Sequence, residues 1–299
     1  MSSLRQLAST LGLSITTVSR ALDGYPDVSA ATRQRVIDAA RKTNYRPHAA
    51  ARRLRLGSTE TVTMVIPGTP GHFDEFDVPA EEGMVVLDAL HWIQGHEAPD
   101  LAVRWNCKAA KCGSCSAEVD GKPRLTCKTR LSDFDLDETI TVEPMRAFPL
   151  IRDLVTDVSW NYEVNRTIEP FRPPLDTPVE DWRWQQEDIE RVQEFRKCIE
   201  CFLCQDVCHV LRNHETERPF VGPRFLVRTA GLEMHPMDRA DRAADLKDGG
   251  VGYCNITKCC TKVCPESITI TDNAIIPLKE RVVDRFYDPL AKLLRLVRG

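Results

Sequence analysis

The chain is constrained most by its twelve cysteines, all of which fall between positions 107 and 264. Four come first, as Cys107-x4-Cys112-x2-Cys115 followed by Cys127. A second run reads Cys198-x2-Cys201-x2-Cys204-x3-Cys208, and it nearly repeats as Cys254-x2-Thr257-x2-Cys260-x3-Cys264-Pro265. Met1–Leu11 is mixed in character, without the apolar stretch of a secretory signal, so a disulfide framework is not expected. The thiols are read instead as metal or cluster ligands. No stretch approaches 18 consecutive apolar residues, so no membrane span is expected. At 299 residues the chain has room for two or three domains.

The C-x4-C-x2-C…C spacing is the plant-type ferredoxin signature for a [2Fe–2S] cluster. Three thiolates on one loop, Cys107, Cys112 and Cys115, would enclose one side, and Cys127 would close it. Gly113 would let the loop backbone approach the sulfides. Strand-like pieces at Thr61–Ile66, Phe76–Ala80, Ala117–Val119 and Ile140–Val142, interrupted by a helix at Val85–Ile93, fit a β-grasp domain. A four-cysteine zinc site is the alternative, although zinc sites more often pair two C-x2-C units.

The doubled run belongs to two-cluster ferredoxins, in which the fourth cysteine of each run ligates the other run's cluster. That crossover groups Cys198, Cys201, Cys204 and Cys264 as a complete [4Fe–4S] site. It leaves Cys208, Cys254 and Cys260 with Thr257 in the fourth place, and a cubane short of one ligand tends toward [3Fe–4S]. Cys259 is left over, as a structural thiol or a fallback ligand. Three clusters in one chain imply an electron path. No P-loop, GxGxxG, Ser/His/Asp set or zinc-protease motif accompanies them, so the chain shows no substrate chemistry of its own.

Charge divides unevenly. Residues 1–60 carry ten Lys/Arg and four Asp/Glu, a net of +6, and the remainder carries 30 and 40, a net of −10. A basic, cysteine-free head suggests a polyanionic partner. Three amphipathic helices are predicted in it, at Leu4–Leu11, Ile15–Leu22 (capped by Ser14) and Ala30–Thr43 (capped by Ser29). Two short helices joined at a glycine, here Gly12, form a helix-turn-helix. The pattern alone fits equally a plain three-helix bundle with a solvated basic face.

The run "LRQLASTLGLSITTVSRALDG…VSAATRQRVIDAARKTNYRPHAAARRLRLG" strongly resembles the headpiece of the lactose-repressor family over residues 4–57. The resemblance implies that Ile15, Thr16 and Arg20 face bases and that Thr17 and Ser19 lie near phosphates. It also implies a hinge helix after "NYRP", whose Leu54, among Arg52, Arg53 and Arg55, wedges into the minor groove. "TVTMVIPGTPGHFDE" looks like the first strand of that family's sugar-binding core, but the core does not follow. Operator DNA is the implied partner, and binding would require a dimer.

From Phe76 onward the sequence closely resembles the iron–sulfur subunit of succinate dehydrogenase and fumarate reductase. The marks are "DLAVRWNCKAAKCGSCSAEVDGKPRLTC", "FPLIRDLVTDVSWNYE", "FRKCIECFLCQDVCHV", "GPRF" and "GYCNITKCCTKVCPE". That resemblance implies a non-catalytic electron-transfer subunit. Its partners would be an FAD-containing flavoprotein, membrane-anchor subunits of cytochrome b type, and a quinone. Its place would be the cytoplasm, peripheral on the cytoplasmic face of a bacterial membrane when in complex. His209 and Asn255 stand where several members carry proline and histidine, so no quinone-binding role is carried over. His209 reads either as a proton donor or as a surface histidine. The basic, amphipathic "DRFYDPLAKLLRLVRG" at the C-terminus reads as a docking helix or as an ordinary terminal helix.

The expected architecture is a multidomain α+β chain. Residues 1–57 form a helix-turn-helix headpiece with hinge helix, and 58–75 a junction with a substitute first strand. Residues 76–150 form a plant-type [2Fe–2S] β-grasp domain, and 151–299 an all-α, bacterial-ferredoxin-like domain holding [4Fe–4S] and [3Fe–4S]. Three functions remain open at this point: electron transfer, a DNA-binding regulator whose clusters sense redox state, and a fusion whose halves have no joint purpose.

Overall fold

The structure, a computed structural model, describes residues 4–22, 28–43, 60–67, 73–212 and 219–289. The hinge helix with Leu54, residues 68–72 of the expected junction and the terminal run beyond Pro289 lie outside the described residues.

The head contains α1 (Leu4–Leu11), α2 (Ile15–Leu22) and α3 (Ala30–Lys42). Leu7 and Ala8, Val18 and Ala21, and Val36 and Ala40 supply one buried face from each helix, joined by Val28. Gly12 turns the chain at φ +63°, a conformation open to glycine without cost. The Ser14 and Ser29 hydroxyls then accept the amides of Thr17 and Thr32 at 3.0 and 3.2 Å, starting α2 and α3. The third helix stops one residue before Thr43, whose hydroxyl donates back to the Ala39 carbonyl.

The second unit is a five-stranded sheet in the order β2-β1-β5-β3-β4. Its elements are β1 (Glu60–Pro67), β2 (Phe73–Ala80), α4 (Val86–His96), β3 (Ser116–Val119), β4 (Lys122–Leu125) and β5 (Ile140–Glu143). Strand β1 is interior. It pairs antiparallel with β2 from Glu60↔Ala80 to Pro67↔Phe73, and parallel with β5 at Met64↔Ile140. Its alternation sends Val62, Met64 and Ile66 inward against Val78, Val86, Leu90, Ile93 and Val142. The full register with β1 draws Phe73–Glu75 into β2, which therefore begins three residues before Phe76. Helix α4 runs past Ile93 to His96, and Asp88 accepts the Val85 amide at 3.0 Å to start it.

A small hairpin of β6 (Leu150–Arg152) and β7 (Val155–Thr156) follows. It belongs to the first core: Leu154 is buried there, and Asp153 accepts the Ala102 amide at 2.7 Å. The division expected at residue 150 thus falls inside this hairpin, because backbone and side chain tie it to the sheet side.

Beyond it the chain is helical. The elements are α5 (Ser159–Thr167), α6 (Gln186–Gln193), α7 (Leu203–Asp206), α8 (His209–Arg212), α9 (Pro223–Glu233), α10 (Ala243–Asp248), α11 (Cys259–Val263) and α12 (Ile276–Phe286), the last preceded by a π-helical stretch at Ile270–Ile275. Its core mixes Phe195, Leu226, Ala230, Ile268, Ile275 and Leu278 with Cys204, Cys208 and Cys260. No helix among the described residues is long and apolar enough to cross a membrane.

Met64 is fully buried at the centre of β1. Met64→Ala is expected to destabilise the sheet domain by about 2–5 kcal/mol, read as a lower denaturant midpoint for that domain. An unchanged midpoint would show that β1 does not hold the sheet together.

Candidate iron–sulfur sites and helix-turn-helix surface

Each cysteine loop is shaped by non-glycine residues in the left-handed region. In the first loop these are Lys108 and Ala110, with Gly113 after them. In the second they are Glu200 and Phe202, and in the third Ile256 and Lys258. The last two pairs sit at the same places in the two runs, 56 residues apart. Phe202 leads into α7 and Lys258 into α11, so the sequence repeat is also a structural one. Successive amides in such conformations form concavities that suit the sulfides of an iron–sulfur cluster.

In the first loop the Cys107 sulfur accepts the amides of Ala109 and Lys111, both at 3.3 Å. Burial raises the Cys112 thiol, but hydrogen bonds with Ser114 and Cys107 outweigh it and bring it down to about 7. Burial, aided by Cys115, pushes the Cys127 thiol up to about 11, and Cys107 is also within its electrostatic reach. The structure thus gathers Cys107, Cys112, Cys115 and Cys127.

The second site takes Cys198, Cys201 and Cys204 from one run and Cys264 from the other. All four line a single cavity together with Arg224. Burial pushes Cys201 up to about 12 and Cys204 well above the ordinary thiol range. Arg224 is 5% exposed, pairs with Glu200 and places a positive charge beside these thiols.

Around the third loop the structure brings Cys208 of the first run near Cys254 and Cys259 of the second, and Cys260 lies beside Cys259. Burial raises Cys208 to about 11, and both Cys254 and Cys259 bear on it electrostatically. Thr257, which stands where Cys201 stands in the first run, is exposed. Cys259 lies beside it, with Sγ 3.4 Å from Thr257 Oγ1. Hydrogen bonding with Cys260 lowers the Cys259 thiol to about 4 against the effect of burial, and the half-buried His209 also bonds to it. Among the described residues no three His, Cys, Asp or Glu lie close enough to hold a single metal ion.

The first two sites touch. A Cβ on Gly113, at φ +69°, would lie 2.5 Å from Cys201 Cα, so only glycine admits this approach. Ser116 Oγ donates to the Cys201 carbonyl at 2.8 Å, and Leu87, Leu125 and Leu203 pack around the seam. Beside it Glu118, fully buried on β3, pairs with Arg146 and Arg212. Asp206 accepts the Ala147 amide at 3.0 Å. Burial pushes the Asp206 carboxyl up to about 7, with the Ala147 amide and Arg212 opposing and Glu118 adding to the rise. Neither Ser116 nor the Glu118 network was identified from sequence.

On the head, Ile15 is 44% exposed, and Thr16 and Arg20 are exposed beside it on α2. Thr17 and Ser19 are half-buried, and Thr17 closes the Ser14 cap.

The loops and folds define an iron–sulfur protein of ferredoxin type, and the comparisons agree. Residues 64–163 match the family "2Fe-2S iron-sulfur cluster binding domain", residues 194–268 "4Fe-4S dicluster domain", and residues 3–48 "Bacterial regulatory proteins, lacI family". The chain is 32% identical over 204 residues to the fumarate reductase iron-sulfur subunit of Mycobacterium tuberculosis, covering 66% of this chain and 80% of that one. It is 57% identical to a chain of the Mycobacterium smegmatis Sdh1 complex in the apo form, with a TM-score of 0.74, covering 78% of this chain and 100% of that one. It is 28% identical over 234 residues to an uncharacterized iron-sulfur protein of Methanococcus maripaludis, covering 77% of this chain and spanning only 45% of that relative's length. The chain belongs to the family of iron–sulfur subunits of fumarate reductase and succinate dehydrogenase, and carries a lacI-family segment at its N-terminus.

Gly113→Ala is expected to cost roughly 1–3 kcal/mol in docking the two ferredoxin domains, because Cys201 backbone must move. Limited proteolysis between the domains should speed up accordingly. Cleavage at the wild-type rate would count against the tight seam.

Proposed function

We propose that residues 60–289 carry electrons between the FAD of a flavoprotein subunit and a quinone beside membrane-anchor subunits, on the cytoplasmic face of the membrane. Cys107, Cys112, Cys115 and Cys127 would hold [2Fe–2S]. Cys198, Cys201, Cys204 and Cys264 would hold [4Fe–4S], and Cys208, Cys254 and Cys260 [3Fe–4S]. When bound, such clusters supply one-electron transfer, tuned by burial, net charge and hydrogen bonds to sulfur. The chain's own part is to position and insulate them.

The observation that carries this reading is the seam at Gly113 and Cys201, which sets the first loop directly on the second. The equivalent face of the third loop is uncovered: Thr257 is exposed, Ile256 is 38% exposed and Tyr253 is 42% exposed. The path is thus covered where it passes between domains and open where it would meet a partner. Cys201→Ser is expected to damage the four-iron cluster, read as a changed electron paramagnetic resonance spectrum and an iron content below about nine per chain. An unchanged spectrum and iron count would remove Cys201 from the ligand set.

The capped, outward-facing α2 supports a second activity, DNA binding by the head, with Ile15, Thr16 and Arg20 toward bases and Thr17 and Ser19 toward phosphates. If Arg20 reads a guanine, Arg20→Ala weakens operator binding by roughly 1–3 kcal/mol. Equal gel retardation of wild type and variant would sink that role. Affinity that changes with cluster oxidation state would join the two halves as a redox-sensing regulator.

A further inference from the structure

Resting on the assignment of a three-iron cluster to Cys208, Cys254 and Cys260, we infer that Cys259 is a fourth thiol of the same site and lets it take up a fourth ferrous ion. Thr257 holds the place of the missing ligand, as its match with Cys201 across the repeat shows. The Cys259 sulfur lies 3.4 Å from the Thr257 hydroxyl, at the tip of the side chain that replaces that ligand. It also bonds with the Cys260 thiol and bears on Cys208. Cys259 therefore joins the ligand thiols on the open side of the site instead of pointing into an unrelated part of the core. Its counterpart in the complete site is Leu203, which is buried at the seam between the domains. The second run thus carries a thiol at the helix start where the first run, already supplied by Cys201, carries a packing residue.

The exchange balances. The three-iron cluster first accepts one electron along the chain's own path or from an added reductant. A ferrous ion would then be held by three core sulfides and the Cys259 thiolate. No further electron moves, and the neutral core plus Fe²⁺ gives the 2+ core of a cubane. Loss of an electron and of the ferrous ion reverses it. The ligand is ferrous iron, and the site would switch between three- and four-iron forms.

The test uses the full chain purified anaerobically, with its iron counted before and after incubation with dithionite and ferrous ammonium sulfate. Wild type is expected to rise from about nine irons per chain to about ten, and to lose the three-iron resonance of the oxidised state. Cys259→Ser and Cys259→Ala are expected to keep about nine irons and the resonance, whereas Thr257→Val converts like wild type. A measurement on wild type alone adds a second readout: Cys259 should be alkylated by iodoacetamide in the three-iron form and protected after conversion, as seen by peptide mass spectrometry. Conversion of both Cys259 variants, or unprotected Cys259 in converted wild type, would overturn the proposal. Wild type purified with about six irons and no three-iron resonance would overturn the cluster assignment itself.

Discussion

Helices of four to six residues do not hold together by themselves, because a first helical turn fixes many dihedrals for a single hydrogen bond. The cysteine loops of the helical domain nonetheless lead into α7, α8 and α11, all of that length. What joins them is the crossing of the two cysteine runs. Cys264, from the later run, shares a cavity with Cys198, Cys201 and Cys204, and Cys208, from the earlier run, faces Cys254. Cys204, Cys208 and Cys260 are part of the apolar core. With the clusters held as proposed, ligation and packing are one interaction, and binding free energy for the clusters is also folding free energy.

The second joint is electrostatic. Glu118 is taken out of water between Arg146 and Arg212, with Asp206 close to Arg212. Ionised groups in such a place are costly unless paired, and removing one partner from a buried pair typically costs about 3–5 kcal/mol. The network lies next to the Gly113–Cys201 seam, and so fixes the orientation in which the two cluster loops meet. Sterics and charge act on the same boundary: the glycine permits the approach, and the carboxylates hold it.

The cysteine spacing pointed to the two ferredoxin-type domains before any coordinates, because thiol spacing along a loop is characteristic of each cluster fold, and both domain families match. The apolar alternation of β1, β2 and β5 likewise outlined the sheet, and the serine caps outlined the head. What escaped the sequence lies between domains. Glu118, in the strand Ser116–Val119, reads as a solvent-facing residue opposite the inward Ala117 and Val119. Its outer face is covered by Arg146 from the sheet side and by Arg212 from the helical domain, and no local pattern encodes that. The adjacent Cys259 and Cys260 were visible as letters, but which side of the third loop the extra thiol faces depends on the left-handed turns at Ile256 and Lys258.

Strand β1 lies between β2 and β5, and its first residue, Glu60, is where the chain from the head enters the sheet. Its antiparallel hydrogen bonds run across the strand. A pull along β1 would therefore load them together in shear, whereas a strand at the rim can be peeled away one bond at a time. If the head were held on a large polymer while the body stayed docked elsewhere, the load would enter the sheet at Glu60. The ferredoxin domain would then serve as an anchor block as well as a conductor.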